Sequence, residues 1–337
     1  MKKMIDRYTH WLYNSEPFFF AGFETFCYQN CQRLLLGTQG IKCPEIYINS
    51  ALSLDFHLGS NEIISGKNCR SLLPSYLGSV KRFYYESADA SEIFNENIKY
   101  MVENDSPVIV GIDSYYLPYA SNYMKNHARH TLILCGYDLE KSEVNVIDWY
   151  PPWFYKGKVP LESFISGRQS GNPYDGTLFS GKNIGNNWAY IERIEQKPPQ
   201  NLLQELFSTV KENYYDDKNE ADVYHGINAI VKIREHVNML QDAEAFTKLY
   251  KKLNVATKRY KLFKQCLECY LQWNTHEGLS ECVENAERVI KEWDIVIMLI
   301  LKTGRLKNEK NVQRLNSKID ELIDAEIKLK DIIFAIS

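Results

Sequence analysis

The chain lacks a long hydrophobic run, and that absence excludes the most. Its longest strongly apolar stretch, Ile295–Leu301, falls far short of the roughly 20 residues that cross a bilayer. No membrane span is therefore expected. Met1–Arg7 is charged, but no apolar core or small-residue cleavage site follows it. No secretory signal is read, and a cytoplasmic location is expected. Strong net charge is missing too. A balance of -3 gives no electrostatic reason to expect nucleic acid or an anionic membrane as partner. The chain has no internal repeat and no low-complexity stretch. Its glycines are isolated and build no phosphate-cradling loop.

Proline is missing from one half only. None of the 11 prolines lies beyond Pro199. After that point come long stretches rich in Leu, Lys, Glu and Ile with 3.6-residue periodicity. Before it, glycines, prolines and short β-rich runs alternate with helical segments. The length of 337 residues suits two packed units. The expected architecture is an α+β domain over residues 1–196 and an all-helical domain over 200–337. The helical domain's inward residues include Leu315, Ile319, Leu322 and Ile323.

What is present is aromatic side chains, 13% of residues with 23 tyrosines, which suit pockets for organic ligands as well as half-buried filler. Eight cysteines in a chain read as unexported are expected to be mostly reduced thiols. Most serve as small buried hydrophobes, so the question is whether one is a nucleophile.

Cys27–Thr38 reads as a helix, stopped by Gly37 and Gly40. Ser91–Asn104 is another, and Val108–Asp113 a buried strand. A hairpin follows, His130–Gly136 against Val144–Asp148, with Trp188–Ile194 as a further strand of the same sheet. A turn centred on 139–141 pairs positions whose numbers sum to about 278–281. Asp148 then lies opposite 130–133, where opposed or diagonal side chains are about 4.5–8 Å apart. His130 and Asp148 can hydrogen-bond there, which fixes the imidazole tautomer. A thiol at the first turn of a helix gains acidity from the dipole and from an adjacent imidazolium. Cys27 occupies that position, after the loop Ala21–Phe26. The pattern makes Cys27 nucleophile, His130 base and Asp148 the residue that orients the base.

The segments Cys27–Gly40, His130–Asp138 and Val146–Asp148 resemble the bacteriocin-processing cysteine peptidases that cut after double-glycine leaders. The run Asp113-Ser-Tyr-Tyr-Leu-Pro-Tyr119, with His127, His130 and Gly136-Tyr-Asp138, is closer to the N-terminal domain of the butirosin biosynthesis protein H family. That resemblance spans roughly residues 20–195. It implies a papain-like fold, in which an N-terminal helix packs on an antiparallel sheet. It also implies a cysteine acyltransferase of antibiotic biosynthesis, moving an acyl group from an acyl carrier protein thioester to a small-molecule amine. The chain itself would need no cofactor, its substrate being carried on the partner's phosphopantetheine. Asp113, Tyr116, Tyr119, His127 and Trp149 are the candidates for substrate contact. The peptidases carry a glutamine shortly before the cysteine as oxyanion donor. Phe19–Glu24 has none, which argues against peptide hydrolysis.

Plainer readings stand beside these. Cys31 is one turn along the same helix and reads as core, with a nucleophile as its alternative. His57 is a rival base without supporting geometry. Cys266, Cys269, His276 and Cys282 have loose zinc spacing, but helical core packing explains them. A hydrolase using the same triad, or a non-catalytic binding module on the same fold, are the rival functions. The helical half has three roles open to it: docking the carrier, forming a homodimer, or covering the site.

Overall fold

The computed structural model describes residues 6–14, 27–41, 44–48, 52–58, 62–64, 80–85, 89–150, 153–177, 179–192, 202–215, 222–272, 274–306 and 308–336. The chain divides into two compact units. The first comprises Met1–Lys42 and Gly78–Ile194, the second Cys43–Leu77 and Glu195–Ser337.

The first unit is α+β, built on an antiparallel sheet. Its strands are β1 (Arg7–Thr9), β4 (Val80–Phe83), β5 (Val108–Asp113), β6 (Arg129–Asp138), β7 (Glu143–Tyr150), β8 (Trp153–Pro160) and β9 (Trp188–Ile191). Their order is β4-β9-β5-β6-β7-β8, and β1 continues the line of β5 by pairing with the far end of β6. Alternation explains the core. Val108, Val110 and Ile112 on β5 join Leu132 and Leu134 on β6 and Val144 and Val146 on β7. Ile93, Phe94, Ile98 and Met101 from the helix Ala90–Asn104 belong to the same cluster, as does Phe164 from the helix Leu161–Gln169.

Local chemistry sets the ends of these elements. Asp89 caps the helix Ala90–Asn104 by accepting from the Ser91 amide, and Asp105 ends it in the left-handed conformation, φ 44°. A bulge interrupts the β6–β7 ladder between Leu134 and Gly136. The Tyr8 carbonyl passes so close to Gly136 that no Cβ would fit there. Arg168, fully buried, ties its helix to the sheet by donating to the Gly111 carbonyl at 2.9 Å and the Asn186 carbonyl at 2.7 Å.

The second unit is dominated by three long helices, Ala243–Leu271, Leu279–Leu306 and Glu309–Ile336. Short connections between them favour antiparallel neighbours. The last helix buries Leu315, Ile319, Leu322, Glu326, Leu329 and Ile333, an alternating spacing of four and three residues. This unit is not purely helical. A three-stranded sheet pairs β2 (Asp55–His57) with β3 (Glu62–Ile64) on one side and β10 (Val223–His225) on the other. The sequence assigned 43–77 to the first domain, whereas its contacts lie in the second unit. Leu52, Leu54, Phe56 and Ile63 feed the helical core, and no local sequence signal announces a strand partner about 170 residues away. His57, the rival base, lies in this second unit. No helix among the described residues is long and apolar enough to cross a membrane.

Candidate active site

The β6–β7 hairpin supplies two of the three residues. Ile133 pairs with Ile147 and Leu134 with Val146. Continuing that register sets Asp148 opposite Leu132, which makes His130 its diagonal neighbour. The long imidazole bridges the gap. His130 Nε2 lies 2.7 Å from Asp148 Oδ1, with both side chains largely buried. An ionised carboxylate only accepts, so Nε2 carries the proton and Nδ1 is left for another partner.

Cys27, the first residue of the helix Cys27–Thr38, hydrogen-bonds His130. Burial alone would push the Cys27 thiol up. The charge of His130 and its hydrogen bond override burial and hold the thiol below its ordinary value. Burial likewise disfavours the His130 imidazolium, yet Asp148 and Cys27 raise it well above the usual histidine range. Both shifts point the same way, toward a thiolate–imidazolium pair.

Cys31 offers an internal control. One turn along the same helix and only 3% exposed, it is favoured only by a hydrogen bond with Thr131, which does not offset burial. Burial, reinforced by the charges of Cys27 and Asp148, lifts its thiol well above the ordinary value. Cys31 stays protonated and belongs to the core.

The second oxygen of Asp148 is also held. Tyr119 donates its hydroxyl to Oδ2 at 2.7 Å and stacks on Tyr155, ring centroids 3.7 Å apart at 9°. Burial and the Asp148 carboxylate raise the Tyr119 phenol well above its ordinary value, so it remains a donor.

Cys27, His130, Asp148 and Tyr119 border a cavity of about 810 Å³. Ile109, Trp188, Phe83, Phe154 and Phe179 give it an apolar lining. The remaining sequence candidates are not in that lining. Asp113 is completely buried, and four in-chain donors engage its carboxylate: the amides of Tyr115 and Ala128, the Ser170 hydroxyl and His127 Nδ1. No valence is left there for a substrate amine, so Asp113 anchors the 114–128 loop. His127 is held by that bond and by stacking on Tyr115, ring centroids 4.3 Å apart. Tyr116 belongs to the short 3-10 turn Ser114–Tyr116 that Asp113 caps. Trp149 takes part through its carbonyl, which accepts from Asn30 on the nucleophile helix at 3.0 Å. The stretch Phe19–Glu24, which holds no glutamine to serve as oxyanion donor, lies outside the described residues.

Arg82, Tyr28 and Arg129 also line the cavity, although no motif in the sequence singles them out. Arg82 lies on β4, opposite Ala189 of β9. A four-residue strand carries too little periodicity to be read, and nothing local ties position 82 to position 28. Among the described residues, no group of three or more His, Cys, Asp or Glu side chains is disposed to hold a metal ion.

Residues 78–149 match the family described as butirosin biosynthesis protein H, N-terminal, in agreement with the resemblance read from the sequence. The matched segment includes His130, Asp148 and Tyr119, and ends before the β8 strand. Cys27 lies outside it, so the nucleophile's assignment rests on geometry. No curated protein matches the chain.

Proposed function

We propose that the protein is a cysteine acyltransferase that takes an acyl group from an acyl carrier protein thioester onto Cys27 and passes it to an amine. One observation carries the reading: His130 stands between a helix-opening cysteine and a buried carboxylate in the wall of an apolar cavity. A helix-start cysteine with a histidine and an acid on an antiparallel hairpin also suits a papain-like fold.

In the first half-reaction the Cys27 thiolate attacks the thioester carbonyl and the C–S bond to the carrier breaks. His130 gives its proton to the departing pantetheine thiolate. In the second half-reaction the amine attacks the acyl-enzyme. Neutral His130 takes the amine's proton, the amide leaves, and the thiolate–imidazolium pair is restored. Asp148 keeps the imidazole oriented and stabilises its charge, and Tyr119 fixes Asp148. The apolar lining of Phe154, Phe179 and Trp188 disfavours water as the competing nucleophile.

Incubating the full chain with an acylated carrier and reading intact mass tests this directly. The acyl mass is expected on Cys27, discharged by an amine and absent from Cys27→Ala. Turnover with water alone would reassign the protein as a hydrolase. A Cys27 that resists alkylating agents at neutral pH would reduce the fold to a binding module.

A further inference from the structure

The cavity's charge is one-sided. Two arginines are among its lining residues: Arg82, which rests on Tyr28, the residue after Cys27, and Arg129, which precedes His130. Arg82 Nε donates to the Tyr28 hydroxyl at 2.8 Å, and its guanidinium carbon lies 4.3 Å from that ring's centroid. The stacking orients the group, and among the described residues its terminal nitrogens have no hydrogen-bond partner. Among the described residues neither arginine forms an ion pair, although ion pairs are common elsewhere in the chain. Asp148 is the one carboxylate among the described lining residues, and both its oxygens are already bonded to His130 and Tyr119. Both arginines are exposed, whereas Ile109, Ala189 and Trp188 of the lining are buried.

From this arrangement we infer that the cavity takes a substrate group with an apolar body and an anionic end, a carboxylate or a phosphate, which Arg82 and Arg129 hold. The inference rests on reading the cavity as the acyl-transfer site, and names the chemistry of what enters it. Guanidinium groups bind carboxylates and phosphates through paired hydrogen bonds that a lone amine or hydroxyl cannot match. A cationic end would instead meet two like charges with no carboxylate free to offset them. The anion has two sources, a carboxylate on the acyl group or the phosphate of the carrier's pantetheine arm.

Calorimetric titration of the full chain at low salt with octanoate, octyl phosphate, octanol and octylamine separates these. At least one anion is expected to bind about tenfold or more tighter than octanol and octylamine. Preference for octanoate assigns the arginines to the acyl group, and preference for octyl phosphate assigns them to the pantetheine arm. Arg82→Gln and Arg129→Gln should each weaken the preferred anion while leaving octanol binding unchanged. Octanol or octylamine binding as tightly as both anions overturns the inference on wild-type protein alone, as does no binding by any of the four. The titration needs no turnover. An acyl adduct on Cys27 without anion preference would remove this inference and spare the transfer reading. Anion preference without an adduct would do the reverse.

Discussion

Each unit buries a carboxylate, and the two meet opposite neighbours. Asp148 in the first unit, 5% exposed, faces an imidazole whose protonated form it favours. Glu326 in the second, fully buried, faces the phenols of Tyr214 and Tyr260 and the indole of Trp293. Burial drives the Glu326 carboxyl from its ordinary 4.5 up to about 7, against the pull of those hydrogen bonds. The fold can therefore bury an acid in two ways. Beside a cationic partner its charge becomes usable for chemistry, and among neutral donors it becomes a burden on stability.

The sharpest way to break this comparison is to remove the cationic partner. His130→Ala should slow alkylation of Cys27 at pH 6 by at least about 100-fold, because the thiol loses the group that lowers it. Rates followed by peptide mass would show this, and an unchanged rate would remove the ion pair. Asp148→Asn should lower acyl transfer by about 10²–10⁴-fold, since the amide cannot stabilise the imidazolium or hold the same tautomer.

The next effect lies in the second unit and has the opposite pH sense. A carboxyl whose folded pKa is raised stabilises the fold fully below its unfolded value of 4.5, and that contribution is lost as pH rises through about 7. The loss is at most about 3 kcal/mol. Glu326→Gln should remove it, so the variant gains stability over wild type at pH 8 but not at pH 4. Urea unfolding of both chains at the two pH values measures the difference. Equal differences at both would show that the acid is not held neutral.

Smallest is Tyr119→Phe, which deprives Asp148 Oδ2 of its donor. Transfer should fall by about tenfold. The His130 limb of the pH–rate profile should shift, whereas a merely structural role would leave that limb in place.

The parts of this molecule legible in sequence are those whose signal is local. The nucleophile helix Cys27–Thr38 has the bounds expected from its stop glycines. The hairpin register follows from turn position, apart from the bulge that Gly136 introduces under β1. Trp149 is not in the cavity lining, whereas its near neighbours Phe154 and Tyr155 are. The strands Asp55–His57 and Glu62–Ile64 belong to the second unit without any local sign of it, because short strands declare no partner. Asp113 misled for a related reason. A carboxylate at the end of a buried strand looks free until Ser170, His127 and two amides arrive from distant positions.

The sequence by itself determined the helices, the hairpin and the placing of a thiol at a helix start, because periodicity, breakers and turn length act over a few residues. Tertiary structure alone decided which groups share an environment. It separated Cys27 from Cys31 in acidity, bound both oxygens of Asp148, spent Asp113 inside the loop and brought Arg82 onto Tyr28. Electrostatic and desolvation energies depend on distance in space, and separation along the chain does not encode that distance.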